Sequence, residues 1–232
     1  MNQETYMEPV GYIRNDFKTK FGLPRQSGII GELASVISFE PAFRSEDAFR
    51  GLEDFSHIWV IWRFDDNEGE PKRDASLTVR PPKLGGNKRV GVFASRSPFR
   101  PNPIGLSCVK LEKIVHDPKE GTLLYVTGGD FRDGTAVLDI KPYLPQADSI
   151  PDAARGFTGE IKDYRLKVKC PCALLDLLPG DKHETLLDAL KEDPRPGFHK
   201  DEDRIYGFSY AGFEISFKVK GRELTVTDVK RI

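Results

Sequence analysis

Between Phe93 and Ser107 the chain sets Pro98, Pro101, Pro103 and Gly105 close together, flanked by apolar runs. Proline locks φ and lacks an N–H donor, so this stretch cannot lie inside a sheet. It must be a stiff loop between two strands, Val90–Ala94 and Leu106–Ile114. A stiff loop loses little entropy when it binds, and this one carries Arg96, Arg100 and Asn102. From Leu77 to Leu111 there is no Asp or Glu, although the whole chain balances 35 basic against 36 acidic residues. Segregated positive charge beside a rigid loop suits an anionic partner such as phosphate or nucleic acid. A solvated basic face with no partner explains the charge equally well.

The rest of the chain is punctuated by 17 prolines and 21 glycines, which favours many short strands. Strands are expected at Val10–Ile13, Ile29–Phe39, His57–Phe64, Thr122–Thr127 and Ala136–Lys141, with a short helix at Ser45–Leu52 capped by Ser45. His57–Phe64 is aromatic, β-branched and almost continuously apolar, so it reads as central. The Asp133-Gly134 turn between apolar runs is a hairpin-type signal. After Pro145 the chain turns small and polar. One or two short helices (Leu174–Leu178, Thr185–Leu190) and three strands (Ile205–Tyr210, Phe213–Val219, Leu224–Val229) follow. The expected architecture is mainly β: a barrel-type domain over residues 1–148 and a small α+β domain over residues 149–232.

Several chemistries find no footing. There is no G-x-G-x-x-G, P-loop, βαβ alternation or G-x-S-x-G elbow, which disfavours Rossmann cofactors and serine hydrolysis. The four histidines and the Cys170-Pro171-Cys172 pair lack metal spacing, so no metal site is expected. No apolar run reaches the roughly 20 residues of a membrane helix, and Met1–Thr5 has no signal-peptide pattern. The cytoplasm is the expected compartment. Asp-Gly turns and Arg-bearing loops are common, so no single loop argues for a site; the set does. Loops at Pro24–Gly28, Asp65-Asp66, Arg96–Leu106 and Asp133–Ala136 could meet at one rim of a closed barrel.

The run Arg80-Pro81-Pro82-Lys83-Leu84-Gly85-Gly86-Asn87, followed by Val90–Gly105, closely resembles the TrmO family, also called TsaA-like or YaeB-like. Asp139-Ile140-Lys141-Pro142-Tyr143-Leu144-Pro145 and, more weakly, Asp193-Pro194-Arg195-Pro196 extend the match. The resemblance implies a TsaA-like β-barrel that transfers a methyl group from S-adenosylmethionine to tRNA. The acceptor would be the exocyclic amine of threonylcarbamoyl-adenosine at position 37, beside the anticodon. It implies a cofactor pocket of Pro24, Arg25, Gln26, Ser27, Gly28, Asp65, Asp66, Arg96, Leu106, Asp133, Gly134, Thr135 and Ala136. Arg96 and Asp133 would face the amino-acid tail, and backbone groups of Gly134 and Thr135 the adenine edge. Where the family more often carries His-Gln, this chain has Asp65-Asp66. Asn102, Asp139, Lys141 and Tyr143 are the candidates around the acceptor, and Arg80, Lys83, Lys88, Arg89 and Arg100 those for RNA phosphates. A homodimer with the pocket near its interface is also implied. The competing readings are a non-catalytic RNA-binding barrel and a small-molecule methyltransferase on the same scaffold.

Overall fold

A computed structural model describes residues 6–64, 77–81, 88–160, 164–195 and 201–232. Asp65, Asp66 and Lys83 lie outside the described residues. The first half contains β1 (Gly11–Arg14), β2 (Ala34–Phe39), β3 (His57–Arg63), β4 (Thr78–Val79), β5 (Val90–Gly91), β6 (Ile104–Asp117), β7 (Gly121–Thr127) and β8 (Ala136–Pro142). Six of these close a barrel in the order β1-β2-β7-β6-β3-β8, every neighbour antiparallel.

Alternation drives the closure. Ile58, Val60 and Trp62 of β3 are buried, as are Gly105, Ser107 and Val109 of β6, while the residues between them are more exposed. Ile13, Ile37, Leu124, Val126, Phe131 and Val137 complete this core. β3 is paired by β6 and β8, as every strand of a closed barrel is paired on both sides, and it buries one face rather than both.

Antiparallel order has one consequence for function. With neighbouring strands alternating in direction, the connections β1→β2, β3→β6 and β7→β8 all leave by the same rim. These connections carry Pro24–Gly28, Arg96–Arg100 and Asp133–Thr135, so loops far apart in sequence converge at one mouth.

Some local expectations needed correction. Ser45 does cap the next turn, its hydroxyl accepting from Asp47 N–H at 3.3 Å, but the segment forms separate 3₁₀ turns at Glu46–Phe49 and Leu52–Asp54. Gly51, at φ 85°, divides them in place of one helix. Only Ala34–Phe39 of the long second strand is extended, and Val92–Ala94 is a 3₁₀ turn. The Asp133-Gly134 turn joins no hairpin: β7 pairs with β2 and β6, β8 with β1 and β3.

The second half holds α1 (Pro145–Asp148), β9 (Lys167–Lys169), α2 (Cys172–Leu175), α3 (His183–Lys191), β10 (Tyr206–Tyr210), β11 (Phe213–Lys220) and β12 (Glu223–Arg231). Its sheet runs β10-β11-β12-β9, with β9 parallel to β12. Leu186, Ala189 and Leu190 of α3 pack with Phe208, Ile215, Phe217, Val219 and Leu224. Phe17, Ile30 and Leu33, from the β1→β2 connection, lie in this same core. Lys182 reaches Asp16 at 2.7 Å, the Thr185 hydroxyl donates to Glu32 O at 3.3 Å, and Phe17 bridges to Tyr210. The segment 15–33 therefore belongs to both halves. Among the described residues no helix is long and apolar enough to cross a membrane.

Candidate functional site

The rim network starts inside the barrel. Trp62 Nε1 donates to Ser107 Oγ at 2.9 Å, and the Ser107 hydroxyl donates to the Asp130 carboxylate. Gly105 lies flat against the Trp62 indole, where any Cβ would collide with the ring. That explains a glycine near the start of β6. The Ser27 N–H also points to Asp130, and Arg96 acts on it electrostatically. Arg96 Nη1 in turn donates to Gln26 Oε1 at 2.6 Å, and Gly28 N–H donates to Gly128 O at 2.8 Å. Gln26, Ser27, Gly28 and Arg96 are thus brought together, around a residue that sequence reasoning passed over.

Asp130 is half-buried. Burial lifts its carboxyl above the ordinary range, against the pull of the Ser107 hydroxyl, Arg96 and the Ser27 N–H, which favour the charged form. Among the described residues no Lys, Arg or His closes an ion pair on it.

Asp133 stands differently. Its carboxylate accepts from Asn15 N–H at 3.0 Å and meets Lys18 Nζ at 2.7 Å. The Gly134 N–H donates to Ile13 O at 2.8 Å, the Thr135 N–H to Arg132 O at 3.3 Å, and Thr135 O accepts from Ile13 N–H. The Gly134 N–H thus ties the turn to β1, while the Thr135 N–H closes the turn on itself. Thr135 and Ala136 are buried. Pro24 is buried too, whereas Arg25 turns away from Arg96 and donates to Arg195 O at 3.4 Å. There it lines a cleft of about 260 Å³ with Lys20, Phe21, Glu192 and Asp193. Asp193 grips Arg195 through Nε at 2.8 Å and Nη2 at 2.9 Å, which braces this far wall.

Three of the four acceptor candidates, Asp139, Lys141 and Tyr143, lie along the barrel's outer wall. Strand register places Leu106 opposite Ile61, and Ile61 opposite Asp139, in one row across β6, β3 and β8. Asp139 pairs with Lys141 at 3.2 Å, and both are substantially exposed. Tyr143 packs beside Trp59, ring centroids 5.7 Å apart, and near His57 at 6.3 Å. Asn102 is exposed on the loop, its carbonyl accepting from Ile104 N–H at 2.7 Å.

Of the basic candidates, Arg80 and Lys88 are exposed. Arg89 donates to Thr78 Oγ1 at 2.9 Å, and Arg100 braces its own loop by donating to Ser95 O at 2.9 Å. Leu77, Phe93, Phe99, Ile104 and Leu106 expose apolar side chains in the same region.

Residues 12–149 match the tRNA-methyltransferase O N-terminal domain, and residues 174–232 match the TrmO C-terminal domain. The chain is 40% identical over 227 residues to the tRNA (adenine(37)-N6)-methyltransferase of Escherichia coli, covering 95% of this chain and 93% of that one. A Pseudomonas aeruginosa relative, provisionally named an S-adenosylmethionine-dependent methyltransferase, is 36% identical over 219 residues, with 87% of each chain covered. A crystal structure of TrmO from Pseudomonas aeruginosa superposes with a TM-score of 0.77 at 29% identity, covering 100% of this chain and 99% of that one. Closed barrel, convergent rim loops and both domain matches define a β-barrel tRNA methyltransferase class. Within that class, the chain belongs to the tRNA-methyltransferase O family.

Proposed function

We propose that this protein methylates N6 of adenine 37 in tRNA with S-adenosylmethionine as methyl donor, acting in the cytoplasm on adenines that already carry the threonylcarbamoyl group. The observation that carries the reading is the meeting of Pro24–Gly28, Arg96 and the 128–136 turn at one rim, in a chain of this family. The donor set fits the cofactor: the Arg96 cation meets the Gln26 amide at 2.6 Å and its field reaches the Asp130 carboxylate, a combination suited to a zwitterionic amino-acid tail. The cofactor pocket we assign comprises Pro24–Gly28, Asp65, Asp66, Arg96, Leu106 and Asp133–Ala136. When bound, S-adenosylmethionine supplies an already activated methyl group, so the protein's task is alignment.

The barrel unit, residues 1–148, performs that alignment, and residues 149–232 support its rim through the shared segment 15–33. Arg96, fixed by Gln26, holds the carboxylate end of the donor. Asp139, two strands from Leu106 on the outer wall, orients the acceptor amine and takes up the proton it releases, with Lys141, Tyr143 and Asn102 around it. Arg80, Lys83, Lys88, Arg89 and Arg100 grip phosphates of the anticodon arm, whose loop base can be splayed out toward the wall. The exposed Leu77, Phe93, Phe99, Ile104 and Leu106 support a homodimer formed across this region.

Calorimetry tests the reading: the purified chain should bind S-adenosylmethionine, and Arg96→Ala should abolish the signal. Unchanged binding by Arg96→Ala would remove the rim from the cofactor site.

A further inference from the structure

We infer that Asp130, rather than Asp133, supplies the negative charge that a cationic methyl donor meets at the rim. The inference rests on the cofactor reading above and names the carboxylate within it. Among the described residues three carboxylates border the region; Asp65 and Asp66 lie outside them. Asp133 is already neutralised by Lys18 at 2.7 Å and held by the Asn15 N–H at 3.0 Å. Asp139 is paired with Lys141 at 3.2 Å on the outer wall. Asp130 alone of these three has no ion pair among the described residues: the Ser107 hydroxyl of β6 donates to it, and the Ser27 N–H of the β1→β2 connection favours its charged form.

Those partners aim the carboxylate without cancelling its charge. Arg96, the charged group whose field reaches it, is engaged with Gln26 at 2.6 Å. A half-buried carboxylate with no direct counter-ion is costly, and a bound cation relieves that cost. The α-ammonium and the sulfonium of S-adenosylmethionine are both such cations. The Trp62–Ser107–Asp130 chain makes the aim rigid, because each hydroxyl and ring position is set by the next. Burial, which holds the carboxyl above its ordinary range, adds a signature. Donor affinity should fall on mild acidification as Asp130 takes up a proton.

The test is calorimetric titration of S-adenosylmethionine into the full chain and its Asp130→Asn, Asp133→Asn and Ser107→Ala variants across a pH series. Asp130→Asn should weaken binding about tenfold or more and flatten the acid limb, the scale of one charge-assisted contact. Asp133→Asn should change affinity less than about threefold. Ser107→Ala removes a hydrogen bond that favours the ionised form, so the acid limb should move to higher pH. A purely structural role would lower the thermal midpoint of Asp130→Asn and leave the pH profile in place. Because folding disfavours the ionised carboxylate, that midpoint should not fall at neutral pH. Wild-type affinity and pH profile in Asp130→Asn, or the large loss appearing in Asp133→Asn instead, overturns the assignment alone. If Asp130→Asn does not fold, an unmoved acid limb in Ser107→Ala overturns it. No binding by the unaltered chain overturns both the assignment and the cofactor reading.

Discussion

Gly105 and Trp62 show how one residue sets the floor of the site. The indole occupies the space a Cβ would need, and it is there that Nε1 finds Ser107. Gly105→Ala should push the ring aside and break that hydrogen bond. We expect a loss of roughly 1–3 kcal/mol, the usual cost of overpacking a filled interior. Urea unfolding will measure it, and an unchanged midpoint would mean that the ring has room to move. At this scale the sequence was partly legible. Gln26 and Arg96 could be named from motifs 70 residues apart, and they do meet. Asp130 could not, because Gly128-Gly129-Asp130 has no distinctive spacing. Its role comes from partners at Ser27 and Ser107 that only the closed barrel brings near. Asp133 drew the eye because Asp-Gly-Thr is a strong turn signal, yet its carboxylate is occupied in fastening that turn to Asn15 and Lys18.

Among the elements, the β1→β2 connection links the Pro24–Gly28 loop to the second half of the chain. Its middle presents Pro24–Gly28 to the rim, while Phe17, Ile30 and Leu33 are sunk in the core around α3 and β10–β12. Leu33→Ala should cost about 2–5 kcal/mol, as for other fully buried leucines. The loss should appear in a single unfolding transition shared by both halves, followed by fluorescence and far-ultraviolet circular dichroism together. Two separated transitions, with only one displaced, would show that the halves are energetically independent. Short strands such as His57–Arg63 and Phe213–Lys220 were legible, the first from its run of aromatic and β-branched residues and the second from its alternation, which buries one face. Ile29–Leu33 misled for a related reason. Its apolar residues are buried against the second core, in a turn, and periodicity reports burial without saying which core receives it. The Asp133-Gly134 turn was legible as a turn but not as to its neighbours, since pairing of β8 with β1 and β3 is decided by barrel closure.

Over the whole molecule, near-neutral net charge conceals a segregated surface. The acid-free stretch from Leu77 to Leu111 puts Arg80, Lys88 and Arg89 at the surface beside the rim. Binding of tRNA should therefore weaken steeply with added salt. Removing Arg80 or Arg89 should lower the log–log salt slope by about one each while leaving S-adenosylmethionine affinity unchanged. Filter binding over a salt series would show this, and an unaltered slope would move the RNA contact elsewhere.

The central claim is methyl transfer to adenine 37, and its most direct measurement is a turnover assay. The purified chain would be given methyl-labelled S-adenosylmethionine and tRNA with or without the threonylcarbamoyl group, and the nucleosides resolved by mass spectrometry. The account predicts label on N6 of adenine 37 in the threonylcarbamoylated tRNA and little in the unmodified one. Label on neither tRNA, or at a different position, would contradict it.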